Sequence, residues 1–315
     1  MKKIAAAFLL TLAAPAAAQS IGPAAEPRFT VAEMGQSFFT LDEAVDAIGQ
    51  GRGTILIDPG TYQECAVQEA GSITYRARQP GSVILDTVVC EQKAALVLRG
   101  RSARVEGIVF QGFQVPDGNG AGIRIERGDL TVVNSLFRNA ESGILSSDDG
   151  RSSIRIEQST FSGLGRCGGE NSCAHSIYVN GYGALSIVAS RFERGTGGHY
   201  VKSRTPRVEI LDSSFDDSAG RETNYMIDLP NGAVGTIARN TFVQGENKEN
   251  YSAFIAIAAE GRDNSSNGLV IAANAADLVP GLYRRTAFVA DTSGASLRIG
   301  DNRLGQQISE FERRQ

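Results

Sequence analysis

The 315-residue chain has no tryptophan, three methionines, nine prolines, two histidines and four cysteines. No Cys-x-x-Cys pair occurs, so the usual zinc spacing is missing and disulfides are the favoured use of the cysteines over zinc. No phosphate loop, zinc-protease helix motif or nucleophile elbow is present, which removes those nucleotide, metallopeptidase and hydrolase readings. Gly118-x-Gly120-x-Gly122 lacks a surrounding βαβ pattern and reads as a turn. Positive charge is not in excess: 31 Lys and Arg stand against 35 Asp and Glu, a net charge of -4. That argues against a nucleic-acid partner, whose backbone demands a clustered basic surface. An acidic polysaccharide needs only a local basic patch. After residue 18 no segment is long and apolar enough to span a bilayer. No Gly/Ser-rich or Pro-rich linker divides the chain after about residue 30.

Residues 1–18 read as a secretory signal peptide. Lys2 and Lys3 precede an apolar stretch from Ile4 to Ala14, and Ala16-Ala17-Ala18 supplies small residues for cleavage. A membrane anchor is the alternative, but the apolar stretch is short for one. Loss of the two lysines takes the net charge from -4 to -6. Residues 19–30 read as a flexible lead and residues 31–315 as one domain, in the periplasm or secreted, and a monomer. Export permits disulfides, and the expected pairs are Cys65–Cys90, about one repeat apart, and Cys167–Cys173, closing a small loop.

A repeat governs the domain. An apolar-x-apolar pair is followed by Ser or Asn, one residue, then Phe or Leu. Examples are Leu130-x-Val132 with Ser135-x-Phe137, Ile154-x-Ile156 with Ser159-x-Phe161, and Val208-x-Ile210 with Ser213-x-Phe215. Phe137, Phe161, Phe192, Phe215 and Phe242 lie 24, 31, 23 and 27 residues apart. A second alternating stretch follows each signature, among them Ile177-Tyr-Val179, Val201-Lys-Ser203 and Ile227-Asp-Leu229. Period-two alternation makes these very short strands. A unit of roughly 25 residues cannot bury its apolar face alone, so units must stack, each strand pairing with its counterpart one coil along. The expected fold is all-β: a single-stranded right-handed parallel β-helix, or solenoid, of about ten coils. The Ser or Asn before each Phe is expected at a bend, bonding its own backbone or the next coil. Thr40-Leu-Asp-Glu43 is a capping box opening a short N-terminal helix with Leu41, Ala44, Val45 and Ile48 on one face, a cap for the first coil. A β-sandwich is the competing architecture, with too few hairpin turns to support it.

The segment from Gly53 to Tyr62 (GTILIDPGTY) followed by the Ser/Asn-x-Phe repeats resembles the pectate-lyase-like right-handed β-helix superfamily, over nearly the whole chain after the leader. That resemblance implies the fold. It implies no single activity, since lyases, glycoside hydrolases, epimerases and noncatalytic adhesins share the fold.

Chemistry concentrates in residues 175–230. His175 and His199 are 24 positions apart, one coil, and each precedes its strand's apolar residue by two. They should therefore stack, with Tyr225 at the matching place in the next coil. Tyr178, Lys202 and Asp228 should form one outward ladder, and Asn180 with Arg204 the next. Cleavage of a uronate chain by β-elimination needs a cation on the carboxylate, a base for the α-proton and an acid for the leaving oxygen. Arg204 could hold the carboxylate in a fork; Lys202, His199 or His175 could serve as base, and Tyr178 as acid or base. Asn180, Tyr225 and Asp228 are the candidate substrate-binding residues. This Lys-and-Arg site is similar to that of the alginate lyase and chondroitinase B branch of the superfamily. Neither a metal nor a cofactor is expected. Asp148, Asp149 and Glu260 fall in turns and read as structural. Residues 163–174 lengthen one coil into a candidate cleft wall, opposite loops 243–252 and 260–268. Two functions stay open: a polysaccharide lyase or related uronate-modifying enzyme, and a noncatalytic glycan-binding or cell-envelope protein. A glycoside hydrolase needs two carboxylates about 5–10 Å apart, and Asp228 alone is well placed.

Overall fold

A computed structural model describes residues 26–168 and 173–315. The expected signal peptide and most of the expected lead lie outside the described residues. The rest is a parallel β-solenoid of about nine turns with one short helix, as the repeat requires. Its three walls correspond to three segments of the repeat. The apolar-x-apolar pairs build the first, from Arg52–Ile57 to Arg298–Gly300; the Phe segments build the second, from Gly60–Tyr62 to Arg303–Leu304. The second alternating stretches build the third, from Ala66–Gln68 to Ile308–Arg313. Ten parallel strands stack in each of the second and third walls.

Inside, each repeat contributes to columns. Phe110, Phe137, Phe161, Phe192, Phe215 and Phe242 stack face to face at 4.7–4.9 Å, with ring planes within 8° of parallel. That distance is the strand spacing itself. Beside them runs a polar ladder. The backbone N–H of Ser135 donates to Ser159 Oγ, that of Ser159 to Ser190 Oγ, and that of Ser190 to Ser213 Oγ. The ladder continues through Asn240, Asn274 and Asn302. Each Ser hydroxyl here also donates to the carbonyl two residues back, so both expected uses of the bend residue occur together. The residue before each ladder position adopts positive φ, from Asn134 at 47° to Arg239 and Asp301 at 57°. This left-handed backbone is unfavourable for non-glycine residues, and the ladder holds it in place. Ser190→Ala would orphan the buried Ser159 N–H and is expected to cost about 1–2 kcal/mol in chemical denaturation.

The N-terminal end is capped as expected. Helix α1 (Leu41–Ile48) has a complete Thr40/Glu43 capping box and buries Leu41, Ala44, Val45 and Ile48. A hairpin, Phe29–Val31 with Gln36–Phe38, adds antiparallel to the first wall. Its first strand starts at Phe29, two residues inside the expected lead, because Phe29 and Val31 are completely buried against the first coil. Cys65–Cys90 and Cys167–Cys173 are both disulfide-bonded, with Cα separations of 5.5 and 4.3 Å. Asp149 accepts from the Gly128 N–H and Asp148 from the Gly181 N–H, which makes both turn-holding carboxylates.

Candidate functional site

The third wall places the cluster. In register, Leu145 lies beside Tyr178, Tyr178 beside Lys202, Lys202 beside Asp228, and Asp228 beside Ala256. The polar stretch is thus bounded by apolar rungs, as the spacing predicts. Just before these strands the rings form a second column. His175 and His199 centroids are 4.9 Å apart, and His199 stacks on Tyr225 at 5.7 Å. Gly198 makes the column possible. It has φ +60°, and a Cβ there would meet His175 Nδ1 at 2.5 Å.

The column opens onto a pocket of about 420 Å³ lined by His175, Tyr178, His199, Lys202, Arg204 and Glu260. Cys173, Asn224 and Glu249 also line it, so the 163–174 and 243–252 segments each contribute a residue to the pocket. His175, His199, Lys202 and Asp228 are nonetheless buried, each less than a tenth exposed.

Protonation follows from the contacts. The His199 backbone N–H donates to His175 Nδ1 at 3.0 Å. His175 must therefore be bare at Nδ1, and in its neutral form it carries its proton on Nε2. Burial, reinforced by Lys202, lowers its pKa to about 3. His175 can donate to a ligand but cannot accept a proton at Nε2, which removes it as a base. His199 has the opposite tautomer. Its Nδ1 faces the Tyr225 carbonyl at 3.3 Å and so carries the proton. Its bare Nε2 lies 3.4 Å from Asp228 Oδ2. Burial, with help from His175 and Lys202, holds His199 well below its usual pKa. Burial raises Asp228 to about 6 against the opposing pull of Lys202. Two acceptors face each other at Nε2 and Oδ2, and one proton between them relieves the repulsion. Asp228 Oδ1 is buried with no hydrogen-bond partner.

Glu260 corrects the sequence reading most sharply. Expected to be a structural turn residue, it accepts from Lys202 Nζ and from Arg204 Nη2 at once. Burial raises its pKa, but those two bonds outweigh it and hold the carboxyl below its usual range. The Arg204 fork is therefore not empty: Nη1 donates to Asn231, and Nε to the Tyr178 hydroxyl at 2.9 Å. The Tyr178 phenol accepts that bond and keeps its own proton to give. Asn180, expected to face a ligand, instead ties its amide to the Ser146 carbonyl at 3.0 Å. Glu260 carried no signal in the sequence, because it reaches the cluster from a loop whose length obeys no repeat. No group of metal-ligating side chains occurs among the described residues.

No family model matches the chain, and no curated protein matches it. The chain is similar to several solved structures, two of them as follows. One is the PL6 family alginate lyase AlyGC, at 15% identity and a TM-score of 0.51, covering 84% of this chain and 39% of that one. The other is Geobacillus virus E2 ORF18, at 15% identity and a TM-score of 0.48, covering 86% and 56%. The chain thus spans less than two thirds of either. What it shares with the lyase is the parallel β-helix.

Proposed function

We propose that the protein is an exported lyase, or related uronate-modifying enzyme, that acts on an acidic polysaccharide. The observation that carries this reading is the clamp on Glu260. Lys202 and Arg204 already hold one carboxylate in a pocket that is also lined by His199 and Tyr178. A uronate carboxylate displacing Glu260 would meet the same two cations, and their charge would acidify its α-proton. Above about pH 6 the proton shared with Asp228 is given up to solvent, so that His199 Nε2 would take the α-proton beside an ionised Asp228, while Tyr178 would protonate the leaving oxygen and regain its proton from solvent. Lys202 and Arg204 neutralise the carboxylate rather than act as base. The likeness to an alginate lyase and the two disulfides, which fit an oxidising compartment, agree with this reading.

The test follows absorbance from new unsaturated ends in alginate, polygalacturonate and chondroitin. Absorbance rises with the wild type on at least one polymer, and Lys202→Ala abolishes it while circular dichroism stays unchanged. Glu260→Ala empties the clamp and is expected to lower KM about tenfold, or roughly 1.4 kcal/mol. The alternative, a noncatalytic glycan-binding role, uses the same clamp; polymer binding without new absorbance would decide for it. Neither binding nor absorbance on any of the three would sink both.

A further inference from the structure

The Lys202 pocket has one seat for one carboxylate, whereas a polyuronate presents one on every sugar. Further along the third wall, toward the C-terminus, lies a larger cavity of about 850 Å³. Tyr225 joins the two. Its ring stacks on His199, and its hydroxyl lies 3.5 Å from Ser252 Oγ and 3.3 Å from Arg314 Nη1, both residues of the larger cavity. Ala253, Ala287 and Ala290, small side chains of the same wall, pack together with Tyr225. The strand Thr286–Asp291, which starts at this cavity, stands three rungs from Val201–Ser203, roughly 14 Å at the parallel spacing.

The geometry points to a second carbohydrate subsite in this cavity, which takes a further acidic sugar of the same polymer that enters the Lys202 pocket. Its lining suits that ligand. Ser252 and Gln307 offer a hydroxyl and an amide to sugar hydroxyls. Tyr251 is half exposed in this lining, with the Arg284 guanidinium 4.6 Å from its ring centroid, and the exposed part of the ring can meet a sugar. Two arginines, Arg285 and Arg314, face one acid, Glu312. Arg314 spends its Nε on Glu312 and its other nitrogens on Tyr225 and Ser252. Arg285 makes no ion pair among the described residues, which leaves it the cation for a carboxylate. The subsite rests on the proposed acidic-polysaccharide function, and it adds that affinity depends on chain length.

Calorimetry with disaccharides and hexasaccharides of mannuronate, guluronate and galacturonate tests it on the full chain. The hexasaccharide of at least one series is expected to bind about tenfold tighter than its disaccharide. Arg285→Ala and Tyr251→Ala should each remove most of that gain and leave the disaccharide affinity unchanged. Both positions are on the surface, so folding is not at stake. Equal affinity for both lengths, or a length gain that survives both substitutions, overturns the subsite while leaving the Lys202 pocket standing. Equal binding of a neutral mannose hexasaccharide overturns its acidic specificity. Failure of the wild type to bind any acidic oligomer removes the underlying function as well.

Discussion

Lys248→Met is expected to lower the free energy of unfolding by about 3–5 kcal/mol, because it strands a buried carboxylate. The side chains of Lys248 and Asp217 are both completely inaccessible, with Nζ 3.0 Å from Asp217 Oδ2. Lys248 also donates to Thr223 Oγ1 at 2.9 Å, Thr223 donates to Asp217, and the Tyr200 hydroxyl donates to Asp217 Oδ1 at 2.8 Å. Burial lowers the Lys248 pKa while Asp217 opposes the shift. Removing both charges together, in Lys248→Met with Asp217→Asn, should cost less than Lys248→Met alone. Paired apolar or neutral replacements avoid leaving one ion unmatched, and chemical denaturation of both variants gives the coupling. The network also bears on the pocket. Thr223 bridges Gly198 on one side and Lys248 on the other, and Tyr200 directly follows His199. This buried knot therefore fixes the turn from which the imidazole column starts. If the double variant proves as unstable as the single one, the charges are not what the knot depends on.

Most of the scaffold was legible because a solenoid turns sequence spacing into distance. Residues one repeat apart become neighbours, so His175 over His199 and the Tyr178–Lys202–Asp228 ladder could be read from spacing alone. The bend serines could be read too, since a hydroxyl at a fixed place in every coil has the same two partners each time. The reading failed wherever a residue left the repeat. Glu260 comes from an irregular loop, and Asn231, which takes one Arg204 nitrogen, follows a strand end. Neither has a counterpart one coil away to mark it. The Asn180 side chain falls just past the strand Ile177–Val179, where the chain turns and the alternation of faces stops. Tautomers were out of reach as well. They depend on which backbone group approaches each ring nitrogen, a matter of tenths of an ångström set by Gly198.

Asp228→Asn should stabilise the protein by about 2–3 kcal/mol at pH 8, and cost it on the order of 10²–10⁴ in β-elimination. The folded-state pKa of Asp228 is about 6 against 3.8 for a free side chain. The ionised group is therefore a burden to the fold, fully present above about pH 6 and absent below 3.8. Asparagine removes it and offers an amide N–H to His199 Nε2. The two histidines act in the other direction. Their folded pKa values are lowered, so the unfolded chain takes up protons below about 6.5 while the fold does not, and stability drains away as pH falls. Between about pH 6 and 4 Asp228 offsets part of this loss in the wild type, because its folded state binds a proton that its unfolded state does not. The variant has no such offset and should lose stability more steeply over that window. It is thus more stable when neutral and more acid-sensitive, with denaturation curves that converge as the pH drops. A variant with unchanged stability at pH 8 would mean that Asp228 is not the strained acid its burial and orphaned oxygen indicate, and His199 would then lack the proton partner on which its role as base depends.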